Sequence, residues 1–256
     1  MGNLHRGHLT LVERLRPEVD RIVVSIFVNP TQFGANEDYD GYPRTLEADL
    51  AQLAPLGVDA VFVPSVAEMY PDGPRLRTRV EVTEITDVAC GLSRPGHFAG
   101  VATVVSKLFN IVQPDVAAFG KKDYQQVKVI ERMVRDLDFP VRILPVDTVR
   151  EADGLAMSSR NGYLTPEERA LAPLLARTLE AAEQRLRSGA AVAEVEAWTR
   201  QALDAGGMRT DYVTIRRQAD LAEPTESDRE LVILAAAWLG RARLLDNREV
   251  SLNPPK

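Results

Sequence analysis

The stretch RIVVSIFVNP, residues 21–30, decides the fold class because it is an almost unbroken apolar run rich in Val and Ile. Such a run is typical of a parallel strand that is covered on both faces. Three further strand-like runs, residues 58–64, 116–120 and 141–146, alternate with helical patterns along the chain. This alternation predicts right-handed crossovers and a doubly wound parallel sheet of the α/β class.

The helices between these strands are visible from the spacing of their apolar residues. Leu46, Leu50 and Leu53 lie on one helical stripe, and Gly57 follows as a stop signal. The clearest helical pattern covers residues 98–112, where apolar side chains recur at intervals of three and four. Both patterns predict amphipathic helices that pack on the sheet.

The chain changes character beyond Arg150. Residues 166–187 and 190–205 are rich in Ala, Leu and Glu, which predicts helices. Residues 211–217 and 231–238 follow as strand-like runs. These patterns predict a second, smaller domain of the α+β type. The expected domains are residues 1–148 and residues 149–256.

Composition places the chain among ordinary globular proteins and excludes some functions. Of its 256 residues, 45% are hydrophobic and 27% are charged, and the formal net charge of −6 argues against a nucleic-acid-binding surface. The single cysteine, Cys90, excludes an intrachain disulfide and fits a reducing compartment. The most apolar stretch, residues 231–240, is too short to span a bilayer. We expect a cytoplasmic protein that binds neither nucleic acid nor membrane.

His5 and His8 form a His-x-Gly-His motif directly before the amphipathic run that starts at Leu9. This spacing puts both imidazoles at a helix N-terminus, where unpaired backbone N–H groups and the helix dipole favour anions. Gly7 would let a phosphate approach the backbone closely, and both rings could stabilise charge that develops at phosphorus. A solvated helix face is the alternative interpretation. A zinc site is disfavoured, since His97 is the only other histidine.

Three other segments carry polar groups that suit a phosphorylated or carboxylate-bearing ligand. VNPTQF, residues 28–33, follows the first strand and places Asn29 and Gln32 at the sheet edge where ligands bind. FGKKDYQQ, residues 119–126, opens a helix after another strand. MSSRN, residues 157–161, combines hydroxyl, guanidinium and amide groups. An exposed polar turn is the alternative for each segment taken alone.

Six motifs in sequence order make the chain resemble the pantoate–β-alanine ligase family, a branch of the nucleotidyltransferases marked by His-x-Gly-His. They are MGNLHRGH, VVSIFVNPTQF, YPRTLEADL, SRPGHFAGVATVVSKLFNIVQPD, FGKKDYQQ and VREADGLAMSSRNGYL. Together they cover nearly all of residues 1–165, and the second domain matches more loosely through ARLLDN. The resemblance implies a Rossmann-like nucleotidyltransferase domain, a smaller C-terminal domain that closes over the nucleotide, and a homodimer.

The resemblance also implies a reaction. Family members condense (R)-pantoate with β-alanine in an ATP-dependent reaction that passes through a pantoyl adenylate and releases pyrophosphate and then AMP. ATP is a substrate, and Mg²⁺ is expected to be held mainly by ATP oxygens, with its protein ligands unassigned. No residue is identified as the base for β-alanine. Two alternatives stay open: a related nucleotidyltransferase that acts on a phosphate substrate, and an inactive truncated form.

The resemblance assigns roles to particular residues of this sequence. The catalytic residues it implies are His8, His5 and Lys122. The ATP-binding residues it implies are Met1, Gly2, Asn3, Leu4, His5, Arg6, Gly7, His8, Gly120, Lys121, Lys122, Asp123, Val149, Met157, Ser158, Ser159 and Arg160. The residues implied to bind pantoate or β-alanine are Gln32, Gln126, Asn29, Arg94 and His97.

The sequence departs from the family pattern at two places. Lys121 stands where family members usually carry Glu, which makes the local charge more positive. The family also has a segment that precedes the position of Met1 and includes the first, central strand. Without that strand, we expect its neighbours to lose a hydrogen-bond partner in the middle of the sheet.

Overall fold

The computed structural model describes residues 2–34, 37–74 and 77–252, which form two compact units. The first comprises the described residues of Met1–Thr83, Arg94–Lys121 and Gln126–Val149. The second comprises those of Glu84–Ser93, Lys122–Gln125 and Arg150–Lys256. The main division therefore lies one residue from the boundary expected from the sequence. The two short segments that precede it in the chain and belong to the second unit were not predicted.

Side-chain hydrogen bonds explain why these two segments belong to the second unit. The Gln125 amide accepts from the Cys90 N–H (3.0 Å) and donates to the Ile85 carbonyl (2.9 Å), so the segments hold each other. The Ser93 hydroxyl in turn donates to the Asp211 carboxylate (3.1 Å). Such pairings between distant positions leave no periodic pattern in the sequence.

The helices and strands run in the following order. They are α1 (Arg6–Leu15), β1 (Val23–Ser25), α2 (Leu46–Leu53), β2 (Ala60–Phe62), α3 (Val66–Met69), α4 (Ala89–Ser93), α5 (His97–Val112), β3 (Val116–Gly120), α6 (Tyr124–Asp136), β4 (Arg142–Val146), α7 (Pro166–Leu171), α8 (Leu174–Arg187), α9 (Val192–Ala205), β5 (Arg209–Arg217), β6 (Glu230–Leu239) and β7 (Ala242–Ser251).

The strands of the first unit are parallel, as predicted for an α/β fold. β1 pairs with β2, and β3 pairs with β4, with Val116 opposite Arg142. Within the described residues these are two separate pairs rather than one continuous sheet. β1 is much shorter than the predicted run because the chain leaves the ladder on both sides. The Asp59 carboxylate takes the Ile22 N–H (2.8 Å), and a 3-10 turn begins at Pro30.

The expectation that the first strand is covered on both faces is wrong in one respect. Val24 is buried, whereas Val23 is 42% exposed. Successive side chains of a strand point to opposite faces, so one face of β1 packs on the core and the other meets solvent in the described structure. A continuous apolar run therefore did not distinguish a half-covered strand from a fully covered one.

Helix α5 spans 16 residues and begins one residue before its predicted start. Its apolar residues Phe98, Val101 and Val105 are buried, which confirms the three-four pattern. Gly100 allows close packing against the Pro30–Gln32 turn, since a Cβ at this position would lie 2.3 Å from the Thr31 carbonyl oxygen. Among the described residues, no helix is long and apolar enough to cross a membrane.

The second unit is α+β, as predicted. Three helices pack on an antiparallel sheet of order β5-β6-β7, and the core includes Leu179, Leu203 and Ile233. The predicted helix over residues 166–187 is broken into α7 and α8 at Pro173, because proline has no N–H to continue the helix.

Strand β7 was not predicted from the pattern. It follows β6 through a tight turn at Gly240, whose φ of 54° lies in the left-handed region. Its sequence, ARLLDNREVS, mixes charged and apolar residues. The apolar side chains of one face pack on the helices, and some of its polar side chains hold segments of the candidate site.

Candidate functional site

The two histidines of the first motif cap helix α1 reciprocally. His5 is the N-cap residue, and its Nδ1 accepts from the Gly7 N–H (3.2 Å). His8 reaches back, and its Nδ1 accepts from the His5 N–H (3.3 Å). The two ring centroids are 4.0 Å apart. A backbone N–H can only donate, so each Nδ1 is an acceptor and each neutral ring carries its proton on Nε2.

This capping arrangement refines the predicted role of the pair. The rings take the positions that Ser or Thr and Glu hold in an ordinary capping box. Each ring therefore has its N–H at Nε2, and both rings lie at a helix N-terminus whose dipole favours anions. The predicted phosphate site thus has two imidazole donors in a fixed tautomer.

The loop before the histidines is anchored by Asp49 of α2, which the sequence analysis missed. The Asp49 carboxylate accepts from the N–H of Asn3 (2.9 Å) and of Leu4 (2.7 Å), and it is 1% exposed. Asn3 itself is held in the left-handed region with φ of 51°. An acidic residue inside the apolar stripe of α2 was the available signal. Among the predicted ATP-binding residues, Met1 lies outside the described residues.

The side chain of Arg6 is engaged elsewhere. Its guanidinium pairs with Glu13 (2.6 Å), and both side chains are exposed. Two other predicted ATP-binding positions of the first unit lie at one strand end: Gly120 ends β3, and Lys121 follows it. Leu11 of α1 lies 3.9 Å from the position of a Cβ on Gly120, so α1 packs beside this strand end.

Lys121 forms an ion pair with Asp147 (2.7 Å) just after β4. Val149, two residues further on, and Gln126, in the first turns of α6, are both half-buried. Four predicted site residues of the first unit therefore lie at or shortly after the carboxyl ends of β3 and β4: Gly120, Lys121, Gln126 and Val149. Ligands of parallel sheets bind at such ends.

Asn29 and Gln32, predicted to bind substrate, are hydrogen-bonded to each other. The Asn29 Nδ2 donates to Gln32 Oε1 (3.2 Å) and to the Gly100 carbonyl (3.2 Å). Asn29 Oδ1 accepts from the Thr31 N–H (3.3 Å) and from the Tyr70 hydroxyl (2.6 Å). The structure thus places this pair together after β1 and adds Tyr70, which the sequence analysis missed. Burial raises the pKa of Tyr70, despite its hydrogen bond with Thr31, so the phenol stays protonated.

Arg94 and His97 contact the backbone of Gln32. Its carbonyl accepts from His97 Nδ1 (2.8 Å) and from the Arg94 guanidinium (3.3 Å). Arg94 also lies 3.0 Å from His97 Nε2, which must then accept, so the His97 ring is neutral with its proton on Nδ1. These two predicted substrate-binding residues therefore hold Gln32 in place.

The charge of Arg94 is balanced by Glu37, which the sequence analysis did not single out. Arg94 Nε donates to Glu37 Oε1 (2.6 Å). Burial opposes the charge of Glu37, but the hydrogen bonds and positive charge of Arg94 hold the pKa of the carboxyl below its ordinary value. The pair ties the polar loop after Gln32 to the start of α5.

In the second unit, Lys122 and Ser158 line one narrow pocket. Asn161 and Asp246 contribute polar groups to the same pocket, and Leu155 and Leu244 contribute apolar surface. Asn161 Oδ1 is buried there and has no hydrogen-bond partner among the described residues. Lys122 of the KKD segment and Ser158 and Asn161 of the MSSRN segment therefore lie together in the second unit.

Strand β7 holds these segments in place. Asn247 Nδ2 donates to the Lys122 carbonyl (2.9 Å). Asp246, which is almost fully buried, accepts two hydrogen bonds from Arg150 (2.7 and 2.9 Å). Hydrogen bonding to Asp246 raises the pKa of Arg150 although burial opposes it. Neither residue of β7 was predicted to serve the site, although ARLLDN carried both.

Of the remaining predicted nucleotide-binding residues of the second unit, Asp123 follows Lys122 and the others follow Arg150 in the chain. Ser158 caps the 3-10 turn Ser159–Tyr163, since its hydroxyl accepts from the Arg160 N–H (3.3 Å). Met157, Ser159 and Arg160 are half-buried, and Asp123 is exposed. Among the described residues, no group of three or more His, Cys, Asp or Glu side chains is assembled in a way that could hold a metal ion.

Comparison with known sequences identifies the family. The sequence model of the pantoate-beta-alanine ligase family matches residues 1–249. The pantothenate synthetase of Alkalilimnicola ehrlichii is 58% identical over 254 residues, which cover 99% of this chain and 89% of that protein. The pantothenate synthetase of Pseudomonas fluorescens Pf-5 is 55% identical over 256 residues, which cover 100% of this chain and 90% of that protein.

Solved structures are similar over most of the chain. A crystal structure of the pantothenate synthetase from Thermus thermophilus has a TM-score of 0.93 and 51% identity, covering 98% of this chain and 91% of that one. The pantoate-beta-alanine ligase of Francisella tularensis, crystallised with beta-gamma ATP and beta-alanine, has a TM-score of 0.80 and 36% identity. That match covers 97% of this chain and 86% of the Francisella chain.

Proposed function

Because this chain belongs to the pantoate–β-alanine ligase family, we propose that its ATP-dependent condensation of pantoate with β-alanine passes through a pantoyl adenylate. In the first step a pantoate carboxylate oxygen attacks the α-phosphorus of ATP, and pyrophosphate leaves. In the second step the amine of β-alanine attacks the acyl carbon, AMP leaves with the bond electrons, and the nitrogen loses a proton. The enzyme must align the reactants and stabilise negative charge at phosphorus.

The reciprocal cap of His5 and His8 is the observation that carries this proposal. It fixes two Nε2–H donors beside a helix N-terminus, an arrangement that suits the charge developing on phosphate oxygens in the first step. Lys122, from the pocket of the second unit, adds a point charge for a phosphate oxygen. We assign catalysis to these three residues.

The other site residues are assigned to binding. Gln32, Asn29 and Gln126 serve pantoate, and Arg94 and His97 serve it by holding the Gln32 backbone. ATP binding is assigned to the loop from Met1 to Leu4, to Arg6 and Gly7 through their backbone, and to Gly120, Lys121, Asp123, Val149, Met157, Ser158, Ser159 and Arg160. Lys121 ranks below Lys122 because it is already ion-paired with Asp147.

Three finer points complete the proposal. Mg²⁺ enters as the complex with ATP, bound mainly by phosphate oxygens, which is how this ion is commonly presented to enzymes. The active form is a homodimer, as the family resemblance implies. The enzyme works in the cytoplasm, where ATP is available and its lone cysteine fits a reducing environment.

Exchange of labelled pyrophosphate into ATP tests the adenylate step, with β-alanine left out so that only the first step runs. We expect exchange that requires pantoate. His8→Ala should slow it about 100-fold or more, because a donor to the transition state is lost. Thr10→Ala, which removes an exposed hydroxyl from the same helix, is the control and should exchange at the normal rate.

Two results would contradict the proposal. Exchange that requires a phosphate-bearing acceptor in place of pantoate would favour a nucleotidyltransferase that acts on a phosphate substrate. Pantothenate formation without any exchange, under conditions where pyrophosphate can rebind, would exclude the adenylate route.

A further inference from the structure

The orientation of the Asn29 amide is fixed by two backbone groups. The Thr31 N–H can only donate, so the atom that faces it (3.3 Å) is Oδ1. The Gly100 carbonyl can only accept, so the atom that faces it (3.2 Å) is Nδ2. Asn29 is 3% exposed. A flipped amide would place its oxygen against the Gly100 carbonyl and its NH₂ group against the Thr31 N–H, so neither contact could be a hydrogen bond.

The fixed Asn29 amide determines which end of Gln32 is presented to a ligand. Asn29 Nδ2 also faces Gln32 (3.2 Å), and because it donates, the facing atom must be Oε1. The Gln32 NH₂ group therefore points away from Asn29. A carboxylate or hydroxyl oxygen is the partner that such an NH₂ group recognises.

Tyr70, which follows α3 directly, completes this arrangement. Its hydroxyl donates to Asn29 Oδ1 at 2.6 Å, the shortest of the contacts to that amide, and the residue is 2% exposed. Thr31 Oγ1 shares the same acceptor (3.0 Å) and lies 3.3 Å from the Tyr70 hydroxyl. The Tyr70 ring packs separately, 6.3 Å from the Phe27 ring between centroids.

We propose that Tyr70 is a positioning residue for substrate recognition: its hydroxyl locks Asn29, and Asn29 in turn holds Gln32 with its NH₂ group toward the oxygens of pantoate. This inference rests on the proposed assignment of Gln32 to pantoate. The chain of hydrogen bonds makes the subsite selective for a hydroxy acid that offers acceptors. It also separates two roles of Tyr70, since the ring fills the core and the oxygen orients the amides.

Tyr70→Phe removes the oxygen and keeps the ring. We expect KM for pantoate to rise about tenfold, the factor that corresponds to one hydrogen bond of ordinary net strength. KM for ATP should stay within about twofold, since the ATP-binding residues are not in this chain of hydrogen bonds. Tyr39→Phe is the matched control, because in the described part of the chain the Tyr39 hydroxyl has no hydrogen-bond partner and its ring contact with Phe33 would persist. A similar rise in KM for both substrates would overturn the proposal in favour of a merely structural role.

A double-mutant cycle separates this proposal from the one it rests on. If Tyr70 acts through Gln32, Tyr70→Phe should add less than about twofold to KM for pantoate in a Gln32→Ala background. Full additivity would overturn the role of Tyr70 while leaving Gln32 a pantoate ligand. An unchanged KM for pantoate in Gln32→Ala alone would refute the assignment of Gln32 itself, and the positioning role with it. If Tyr70→Phe does not fold, Thr31→Val removes the hydroxyl that shares the Asn29 acceptor and enters the same cycle.

Discussion

Two pairs in the first unit's part of the site are local, whereas two hydrogen-bonded pairs in the second unit's part join positions far apart in the chain. In the first unit, His5 bonds to His8 and Asn29 bonds to Gln32, so each pair is separated by three positions. In the second unit, the Lys122 carbonyl is bonded by Asn247, which lies 125 positions further along. The Arg150 guanidinium is likewise held by a carboxylate 96 positions away.

This difference has consequences for stability and for function. A pair three residues apart forms as soon as its helix or turn forms, at little cost in chain entropy. A pair about 100 residues apart forms only when the surrounding unit folds, and the closure of that long loop costs entropy. We expect substitution of the long-range partners in the second unit, such as Asp246, to lower the stability of the fold. Substitution of residues in the first unit's local pairs should instead change the rate or the substrate binding of the reaction.

The largest predicted effect comes from Asp246→Ala. Removing this buried carboxylate leaves the Arg150 guanidinium without a carboxylate partner, although its hydrogen bond to the Gly154 carbonyl remains, and this should lower the free energy of unfolding by about 3–5 kcal/mol. Urea unfolding measures it. Asp147→Ala is the matched control in the first unit, since Asp147 also pairs with a site cation but is 77% exposed, and it should cost less than about 1 kcal/mol. Equal losses of unfolding free energy in the two variants would contradict the expected difference between a buried and an exposed carboxylate.

The adjacent residues Lys121 and Lys122 are expected to differ in their effect on the use of ATP. Lys122→Ala should lower kcat/KM for ATP about 10-fold to 100-fold, because a charge-assisted hydrogen bond to phosphate is lost. Lys121→Ala should change it less than about threefold, since the Lys121 ammonium is engaged with Asp147. Steady-state kinetics at varied ATP concentration measure kcat/KM for both variants. Equal effects would show that the ion pair opens when the nucleotide binds.

A smaller effect is expected from Gly100→Ala in the first unit. The new Cβ would lie 2.3 Å from the Thr31 carbonyl and 2.8 Å from the Gln32 Cα, so the turn must shift. Overpacking of this kind costs about 1–3 kcal/mol. KM for pantoate should rise more than KM for ATP. Gly41→Ala is the control, because the nearest atom to a Cβ at that position is 4.0 Å away. An unaltered KM for pantoate in Gly100→Ala would show that the turn lies outside the substrate site.

The smallest effect is the acid dependence of the Arg94–Glu37 pair. The folded pKa of Glu37 lies below the unfolded value, so the unfolded state binds more protons and the pair's contribution to stability grows with pH. That contribution is complete above the ordinary carboxyl pKa of about 4.3 and is lost as the pH falls through the lower folded value. The melting temperature of wild type minus that of Glu37→Gln should therefore be constant from about pH 7 to about pH 5 and shrink below about pH 4. A difference that persists unchanged at about pH 3 would contradict this assignment.

Sequence patterns predicted the elements well where periodicity is strong. Helix α5 was placed to within one residue because its burial follows a regular spacing. Strand β3, a short apolar run whose five residues are all half-buried, was placed at its observed bounds. The patterns failed where packing overrides periodicity. Val23 is apolar but exposed, and β7 contains buried polar residues. In both cases the burial of a residue depends on which elements of the fold pack against it, and the sequence pattern does not record this.

The candidate site shows the same division. The histidine and amide motifs were identified from their spacing, and the structure places each pair together. Asp49, Tyr70 and Asp246 were missed, although each is almost fully buried and bonded to a site segment. Their partners lie 41 to 96 positions away, and no local pattern records such a pairing.

In the sequence by itself, the alternation of apolar runs determined the α/β class, and the resemblance of its motifs to one family implied the residues assigned to phosphate and pantoate. The tertiary structure decided how those residues are presented. It set the tautomers of His5 and His8, the direction of the Gln32 amide and the anchoring of Lys122 to β7. The physical reason is that a buried polar group must find a partner wherever the fold supplies one, and that partner is fixed by packing in three dimensions.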